Sequence, residues 1–162
     1  MGDLPQSVRT VLDAAESHGL SIEVIEYPDG TRTAVDAAAA VGCEVGQIVK
    51  SMIFSVDGEL VLALTSGANQ VDTALLTVAA DGQRCDRADA DAVRATTGFA
   101  IGGVPPFGHT ERVRAYFDPA LLTHEVVWAA AGTPRHVFSI DPQTLLQVTG
   151  ATETAFTERG EP

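Results

Sequence analysis

Apolar spacing and capping residues predict the helical segments of the chain. In residues 5–18, Val8, Val11, Leu12 and Ala15 fall on one face of a helix. Further helices are predicted over 33–42, 70–82, 86–98 and 141–150, with a helical turn at 118–124. Thr33, Asp72 and Asp141 are suitable N-caps, and glycine closes several of these segments.

Runs of apolar or alternating residues predict about six strands, at 21–27, 47–56, 59–66, 112–118, 125–132 and 136–140. Asp57-Gly58 separates two of them and is typical of a tight hairpin turn. A hairpin mixed with helices excludes an all-parallel sheet. We therefore expect an α/β protein of the α+β type, with a mixed, curled β-sheet of about six strands flanked by helices.

The chain of 162 residues contains no repeat or linker, so we expect one domain over 1–162, with residues 151–162 frayed. Its composition, 45% hydrophobic and 20% charged, is that of a globular protein. No apolar run approaches the length of a membrane span, and the first residues do not resemble a signal peptide. A cytoplasmic location is expected.

Cysteines and histidines give no sign of a metal centre. Cys43 and Cys85 are far apart in sequence and form no CxxC pair, so we expect two reduced thiols. The four histidines are scattered, without ligand spacing near a cysteine. No metal and no cofactor is expected.

A formal net charge of −12 argues against binding nucleic acid over the whole surface. It leaves room for a small basic pocket that holds one end of a nucleic acid. The arginines of the second half that would supply such a pocket are Arg84, Arg87, Arg94, Arg112, Arg114 and Arg135.

Lys50 is the only lysine of the chain, and it lies inside the apolar strand "IVKSMIF" at 48–54. Alternation places it on the face of Met52 and Phe54, with Ser51 on the other face. A buried ammonium costs several kcal/mol unless it is compensated. It can reach solvent, pair with a distant carboxylate such as Asp118, Asp36 or Asp72, or line a ligand pocket, and the pattern leaves these open.

The segment "GFAIGGVPPFGH" at 98–109 predicts an irregular loop rich in glycine and proline. Glycines allow a ligand to approach the backbone, whereas prolines stiffen a loop. Phe107 is a candidate lid or floor for a ring. The segment has neither the P-loop nor the GxGxxG spacing, so a structural turn is the alternative.

Taken together, these motifs resemble the YbaK/prolyl-tRNA synthetase-associated editing domain family. The resemblance rests on "IVKSMIF", "DGELVLALTSG", "TGFAIGGVPPFGH", "YFDPALL" and "VVWAAAGTPRHVFSIDPQTLLQVTG", in this order. It implies a free-standing aminoacyl-tRNA deacylase, which hydrolyses the ester between a wrong amino acid and a tRNA, typically proline tRNA. The expected partners are the tRNA acceptor end and, as a helper, prolyl-tRNA synthetase, without a membrane.

The resemblance also implies site residues. The catalytic lysine of the family falls on Lys50, and the attacking water is activated by the ribose hydroxyl of the substrate. The expected substrate-binding residues are Tyr27, Ser51, Gly102, Gly103, Val104, Pro105, Pro106, Phe107, Gly108, Gly132 and His136. Ile48, Met52, Phe54 and Phe107 suggest a small apolar pocket for the amino acid.

Two other interpretations remain open from the sequence. The same fold could bind a nucleotide or aminoacyl group without turnover. Alternatively, Lys50 could form a Schiff base with a small carbonyl substrate. The enzyme is favoured over the non-catalytic binding module, because a site without turnover has no need for a buried Lys50 charge that costs free energy.

Overall fold

The computed structural model of the protein describes residues 4–27 and 33–159. Its helices are α1 (Gln6–Ser17), α2 (Ala34–Val41), α3 (Thr73–Ala79), α4 (Ala90–Thr97) and α5 (Pro142–Thr149). Single 3₁₀ turns occupy Val45–Gln47 and Pro119–Thr123. The five predicted helical segments are therefore present, each shorter than its sequence pattern indicated.

The predicted caps are confirmed. Thr33 accepts a hydrogen bond from the Asp36 amide at 3.0 Å and begins α2. Asp72 and Asp141 cap α3 and α5 in the same way, through the amides of the first turn. Such caps satisfy backbone donors that have no partner inside the helix.

The strands are β1 (Val24–Glu26), β2 (Val49–Val56), β3 (Glu59–Ser66), β4 (Asn69–Val71), β5 (Cys85–Arg87), β6 (Arg114–Phe117), β7 (Val127–Ala130), β8 (His136–Ile140), β9 (Thr152–Glu153) and β10 (Thr157–Arg159). They form a five-stranded sheet in the order β5-β2-β3-β6-β9, a three-stranded sheet β1-β8-β7 and the pair β10-β4. β2 and β3 are antiparallel, whereas β3 and β6 are parallel. The expected mixed α+β architecture is confirmed.

The β2–β3 hairpin turns at the predicted residues. Asp57 has φ 51° and Gly58 has φ 87°, so both central positions are left-handed. A turn with positive φ at both positions follows the right-handed twist of the flanking strands. This turn fixes the register in which Lys50 lies opposite Thr65.

The strand count of about six was too low, because four short strands were not predicted. β4 and β5 lie where the sequence pattern predicts the starts of two helices. β9 and β10 lie in the tail that was expected to fray. All four contain two or three residues, too few for a period to show, and each is held by a partner distant in the chain.

The described part of the tail contains β9 and β10 and packs against the rest of the chain at Phe156. This side chain is 0% exposed and packs with Phe54, Val56 and Leu76. Its carbonyl accepts a hydrogen bond from the Asp72 amide at 2.8 Å. β10 then pairs antiparallel with β4. Residues 160–162 of the predicted tail lie outside the described residues.

The central sheet separates two hydrophobic clusters. Val49 and Ile53 of β2 face the larger cluster, together with residues of α1, α4, β7 and β8. Phe54 and Val56 face the smaller cluster, which lies beneath α3 and the tail. Since side chains alternate along a strand, Lys50 lies on the face of the smaller cluster.

No helix among residues 4–27 and 33–159 combines the length and apolar character needed to cross a bilayer.

Candidate active site

Lys50 extends from β2 toward β4. It is partly buried, and its Nζ donates a hydrogen bond to the Asn69 carbonyl at 2.6 Å. An ammonium has three N–H donors. Among the described residues, this carbonyl is its one hydrogen-bond partner. Its remaining donors are therefore available to a ligand.

Asn69 links this ammonium to a buried carboxylate. Its Nδ2 donates to Oδ2 of Asp118 at 2.9 Å. Asp118 is 1% exposed and also accepts from the amides of Ser66 and Ala120, each at 3.0 Å. Asp118, which the sequence offered as a distant partner of Lys50, thus acts through Asn69 rather than by direct contact.

The surroundings of Lys50 lower its pKa from 10.5, the value of an unperturbed lysine. Burial is the main cause, because it penalises the charged form. The carboxylate of Asp118 opposes this shift, whereas the guanidinium of Arg87 adds to it. The side chain is thus a cation whose proton is held less firmly than that of a lysine in water.

Lys50 lines a cavity of about 750 Å³. One wall is formed by α2, with Ala34, Val35, Ala37 and Val41. The lining is mostly aliphatic, as in most small-molecule sites, and its polar side chains are those of Thr33, Lys50, Ser51 and Arg87.

The opposite wall of the cavity combines β7 and β8 with the glycine-rich loop. Trp128 and Ala130 contribute from β7, and Val137 contributes from β8. Ile101 on the loop and Val35 on α2 are 59% and 60% exposed, so both lie at the mouth. The residues of β7 and β8 in this wall, and those of α2, are site components that sequence reasoning missed.

The floor of the cavity is a part of the β2 edge that pairs with no strand of the described residues. β7 reaches this edge only at a bridge between Ile48 and Trp128, and β5 joins it from Phe54 onward. The Ile53 carbonyl accepts from the Ala88 amide at 3.2 Å, which fixes the side toward which its backbone groups point. By alternation the N–H and C=O of Ser51 point the same way, into the gap between β7 and β5.

The Ser51 side chain adds a hydroxyl to this floor. Its Oγ is buried and has no hydrogen-bond partner among the described residues. A buried hydroxyl without a partner is unfavourable by about 1–3 kcal/mol. Ser51 lines the cavity, so a ligand there can supply the missing hydrogen bond.

Within the predicted loop, Gly102 and Val104 line the cavity. Gly103 approaches the neighbouring backbone so closely that a Cβ would lie 2.8 Å from the Thr133 Cα. His109 braces the loop, with Nε2 lying 2.7 Å from the Pro105 carbonyl oxygen. Burial of His109 lowers its pKa, so the neutral ring is favoured.

Phe107 is neither a lid nor a floor. It is 5% exposed, and its ring centroid lies 5.6 Å from that of Phe138 and 6.1 Å from that of His18. Phe54 is likewise buried in a hydrophobic cluster, so the lining uses Ile48 and Met52 but not these two phenylalanines. Pro105 and Pro106 are buried, and a Cβ on Gly108 would lie 3.1 Å from the Ala14 Cβ of α1.

Tyr27, Gly132 and His136 are not among the cavity-lining residues of the described chain. The Tyr27 amide donates to the Arg135 carbonyl at 2.7 Å and extends the β1–β8 pairing. His136 is 4% exposed, with Nδ1 lying 2.6 Å from the Thr133 Oγ1. It shares a face of β8 with the buried Phe138, whereas Val137 faces the cavity.

Across the part of the chain that the structure describes, no group of three or more His, Cys, Asp or Glu side chains could hold a metal ion.

Comparison with known proteins identifies the family. Residues 28–148 match the model of the aminoacyl-tRNA editing domain. The chain belongs to this family. The matched range includes the Lys50 strand, the glycine-rich loop and the β7–β8 wall, so the family definition covers the elements that build the cavity.

Relatives agree with this membership. A solved protein described as a candidate trans-editing enzyme for prolyl-tRNA synthetase is 46% identical, with a TM-score of 0.91, covering 96% of this chain and 99% of that one. The proline–tRNA ligase of Desulforamulus reducens is 28% identical over 146 residues, 88% of this chain and 25% of the ligase. The Bacillus subtilis protein YwhH, which is uncharacterised, is 27% identical over 124 residues, covering 76% of this chain and 78% of that protein.

The chain spans about a quarter of the length of the proline–tRNA ligases that it matches. The resemblance seen in the sequence is confirmed at the level of the family.

Proposed function

We propose that the protein is an aminoacyl-tRNA deacylase, which hydrolyses the ester between a small non-cognate amino acid and the 3′ end of a tRNA, with proline tRNA as the expected substrate. The observation that carries the proposal is the Lys50 ammonium. It is held by one carbonyl at 2.6 Å and lines a cavity beside an uncovered strand edge. Membership of the editing-domain family supports the same reaction class.

The site residues have distinct roles in this proposal. The Lys50 ammonium donates to the oxygen atoms of the aminoacyl ester or to the adjoining nucleotide. The Ser51 backbone and hydroxyl orient the aminoacyl group along the β2 edge. Preorganised donors of this kind stabilise the negative charge that develops on the ester carbonyl oxygen.

The hydrolysis itself needs a water molecule whose oxygen bonds to the carbonyl carbon while the bond from that carbon to the ribose oxygen breaks. The departing ribose oxygen takes up a proton. The Lys50 ammonium is a hydrogen-bond donor and not a base in this proposal, so we propose that the adjacent ribose hydroxyl relays the proton from water to the departing oxygen.

The cavity volume bears on the substrate. About 750 Å³ exceeds the needs of a small amino-acid side chain. The space fits an aminoacyl group together with part of the terminal nucleoside. An aliphatic pocket discriminates weakly between amino acids that differ by one methylene group, by roughly 10–200-fold. Selection of the aminoacyl group therefore depends mainly on excluding bulkier amino acids.

The remaining predicted residues receive supporting roles. We propose that Gly103, Pro105, Pro106, Phe107 and Gly108 hold Gly102 and Val104 in place without touching substrate. Tyr27, Gly132 and His136 support the Val137 wall in the same way.

A hydrolysis panel tests the function. Proline tRNA charged with alanine, cysteine, serine, threonine or 2-aminobutyrate is incubated with the wild type, Lys50→Ala and Lys50→Arg. We expect turnover of at least one ester by the wild type and a loss of at least about 100-fold in Lys50→Ala. Arg84→Ala, which removes an exposed arginine paired with Asp86, is the matched control.

The outcomes separate the alternatives. Binding of charged tRNA without turnover of any ester would identify a non-catalytic module. Equal turnover by the wild type and Lys50→Ala would remove the lysine from the mechanism. Borohydride trapping of a carbonyl adduct on Lys50 would indicate Schiff-base chemistry instead.

The net charge of −12 bears on how tRNA is delivered. We propose that the protein acts in the cytoplasm and takes charged tRNA transiently, with prolyl-tRNA synthetase as the helper. Tight binding of free tRNA by the isolated protein at physiological salt would contradict this, because such binding depends on many phosphate contacts.

A further inference from the structure

Arg87 occupies a different setting from the other arginines that the sequence offered for a basic pocket. It lines the cavity, and no other arginine of the described residues does so. Arg84 pairs with Asp86 at 2.8 Å, and Arg114 lies 3.7 Å from Glu59. The ion pairs of the described chain therefore leave Arg87 unneutralised.

Strand register places Arg87 on the face that carries Lys50. β5 pairs with β2 so that Arg87 lies directly opposite Phe54. Paired residues share a face of the sheet, and side chains alternate along each strand. Lys50, Met52 and Phe54 therefore point to the same side as Arg87.

The carboxylates near these cations are already engaged elsewhere. Asp86 lies on the opposite face of β5 and binds Arg84. Asp118 is buried and accepts from the amides of Ser66 and Ala120, besides Asn69. Arg87 is exposed and lowers the pKa of Lys50 through charge repulsion, which agrees with their shared position.

We propose that Arg87 and Lys50 together bind one backbone phosphate of the tRNA acceptor end. This inference rests on the proposed function, to which it adds the subsite that positions the terminal nucleotides. A phosphodiester between them relieves the repulsion of the two cations. The planar guanidinium can bind two phosphate oxygens at once, whereas the ammonium acts as a compact charge.

The proposal also accounts for tRNA recognition by an acidic protein. The net charge of −12 disfavours contact with the tRNA body. A cavity lined by two cations favours the single-stranded end of the tRNA, because one phosphate can enter while the duplex stays outside. The contribution of Arg87 therefore concerns binding and not the chemical step.

Steady-state kinetics on two substrates test the inference. The first is alanyl-tRNA for proline, and the second is 3′-O-alanyl-adenosine, which has the same ester but no phosphate. For Arg87→Gln we expect KM for the tRNA to rise about 10- to 100-fold with kcat little changed. KM for the adenosine ester should stay within about twofold, and Arg87→Lys should restore part of the tRNA affinity.

Salt dependence provides a further readout that a merely structural role would not change. Loss of one phosphate contact on a single strand reduces the slope of log affinity against log salt by about 0.7. Arg84→Gln, three residues before Arg87 in the chain and paired with Asp86, should behave as the wild type.

A binding experiment separates failure of this inference from failure of the proposed function. With ¹⁵N-lysine labelling, the single lysine gives one side-chain signal, and the trinucleotide CpCpA is titrated against it. We expect CpCpA to shift the Lys50 signal and to bind Arg87→Gln about tenfold more weakly. Adenosine should bind both proteins equally.

If no ester is hydrolysed but CpCpA binding depends on Arg87, the subsite stands while the deacylase fails. If esters are hydrolysed and Arg87→Gln matches the wild type with tRNA and CpCpA, the subsite fails alone. Equal losses on tRNA and on the phosphate-free ester would likewise overturn it.

Discussion

Asn69 Nδ2 donates a hydrogen bond to Asp118 Oδ2 at 2.9 Å, and this contact orients the residue whose carbonyl holds the Lys50 ammonium. The carboxylate is 1% exposed. A charge so deeply buried is stable only when hydrogen bonds surround it, and here the amides of the following turn and of β3 contribute. The position of the lysine thus depends on a carboxylate that it does not touch.

Asp118→Ala should therefore destabilise the protein strongly. The substitution leaves the amides of Ser66 and Ala120 and the Asn69 side chain without their acceptor. We expect the free energy of unfolding to fall by about 4 kcal/mol, measured by urea denaturation. Asp91→Ala, at an exposed position of the first turn of α4, should cost less than about 1 kcal/mol. Matching midpoints for the two variants would show that the buried carboxylate has no structural role.

The Lys50 ammonium should titrate below the value of 10.5 that applies to an unperturbed lysine. Burial makes the folded protein release this proton at a lower pH than the unfolded chain does. Between the two pKa values the unfolded chain binds more protons, so stability rises with pH across that window. The single ¹⁵N-lysine signal gives the folded pKa directly.

Unfolding free energies of the wild type and Lys50→Met, compared over the same pH window, isolate this contribution. The difference should shift in favour of the wild type as pH rises. Turnover should decline over the same window, because the charged form donates the hydrogen bonds. A lysine titrating at or above 10.5 would contradict the burial argument.

Ser51→Ala should separate stability from activity. The Ser51 hydroxyl is buried without a partner among the described residues, so its removal should leave stability unchanged or raise it by up to about 1 kcal/mol. Turnover of the charged tRNA should fall about tenfold if this hydroxyl binds substrate.

Ser66→Ala is the matched control on the neighbouring strand. The Ser66 Oγ donates to the Gly46 carbonyl at 2.8 Å, so its loss should cost about 1–2 kcal/mol. Thermal unfolding of both variants measures the contrast. A Ser51→Ala variant that is as destabilised as Ser66→Ala would indicate an unseen structural partner for Ser51.

Gly132→Ala should be much more destabilising than Gly19→Ala. Both glycines have positive φ, 105° and 76°, so both substitutions strain the backbone. A Cβ on Gly132 would lie 2.6 Å from the Ser7 carbonyl oxygen, whereas nothing lies within 4 Å of one on Gly19. We expect losses of about 3 kcal/mol or more and about 1 kcal/mol, respectively, from denaturant midpoints. Equal losses would show that α1 yields readily at this contact.

Local chemistry explains which parts of the fold could be predicted. Helix caps such as Asp141 depend on a few adjacent residues, and so does the Asp57-Gly58 turn. Both could therefore be predicted from the local sequence. β4 and β5 could not be found, because three-residue strands are defined by partners far along the chain. The order of the tail depends on burial of Phe156 against residues of β2 and α3, which no local pattern records.

The site divides in the same way. Lys50 could be proposed as a site residue from the sequence alone, because it is the single lysine of the chain and lies in an apolar strand. The role of Phe107 could not be predicted, because an aromatic ring in a loop rich in glycine and proline can either cover a ligand or pack in the core. In the structure it packs in the core. Arg87 was one of several equivalent arginines until strand pairing placed it opposite Phe54.

The gap in the edge of β2 also has a consequence for the stage of folding at which the cavity forms. Its two boundaries are β5 and β7, which reach β2 from separate, later parts of the chain. Contacts between distant segments are slow to form, because closing the intervening chain costs entropy before the contacts compensate for it. A partly folded chain in which β5 or β7 is not docked has no complete cavity, so ligand binding should appear only after both strands have docked.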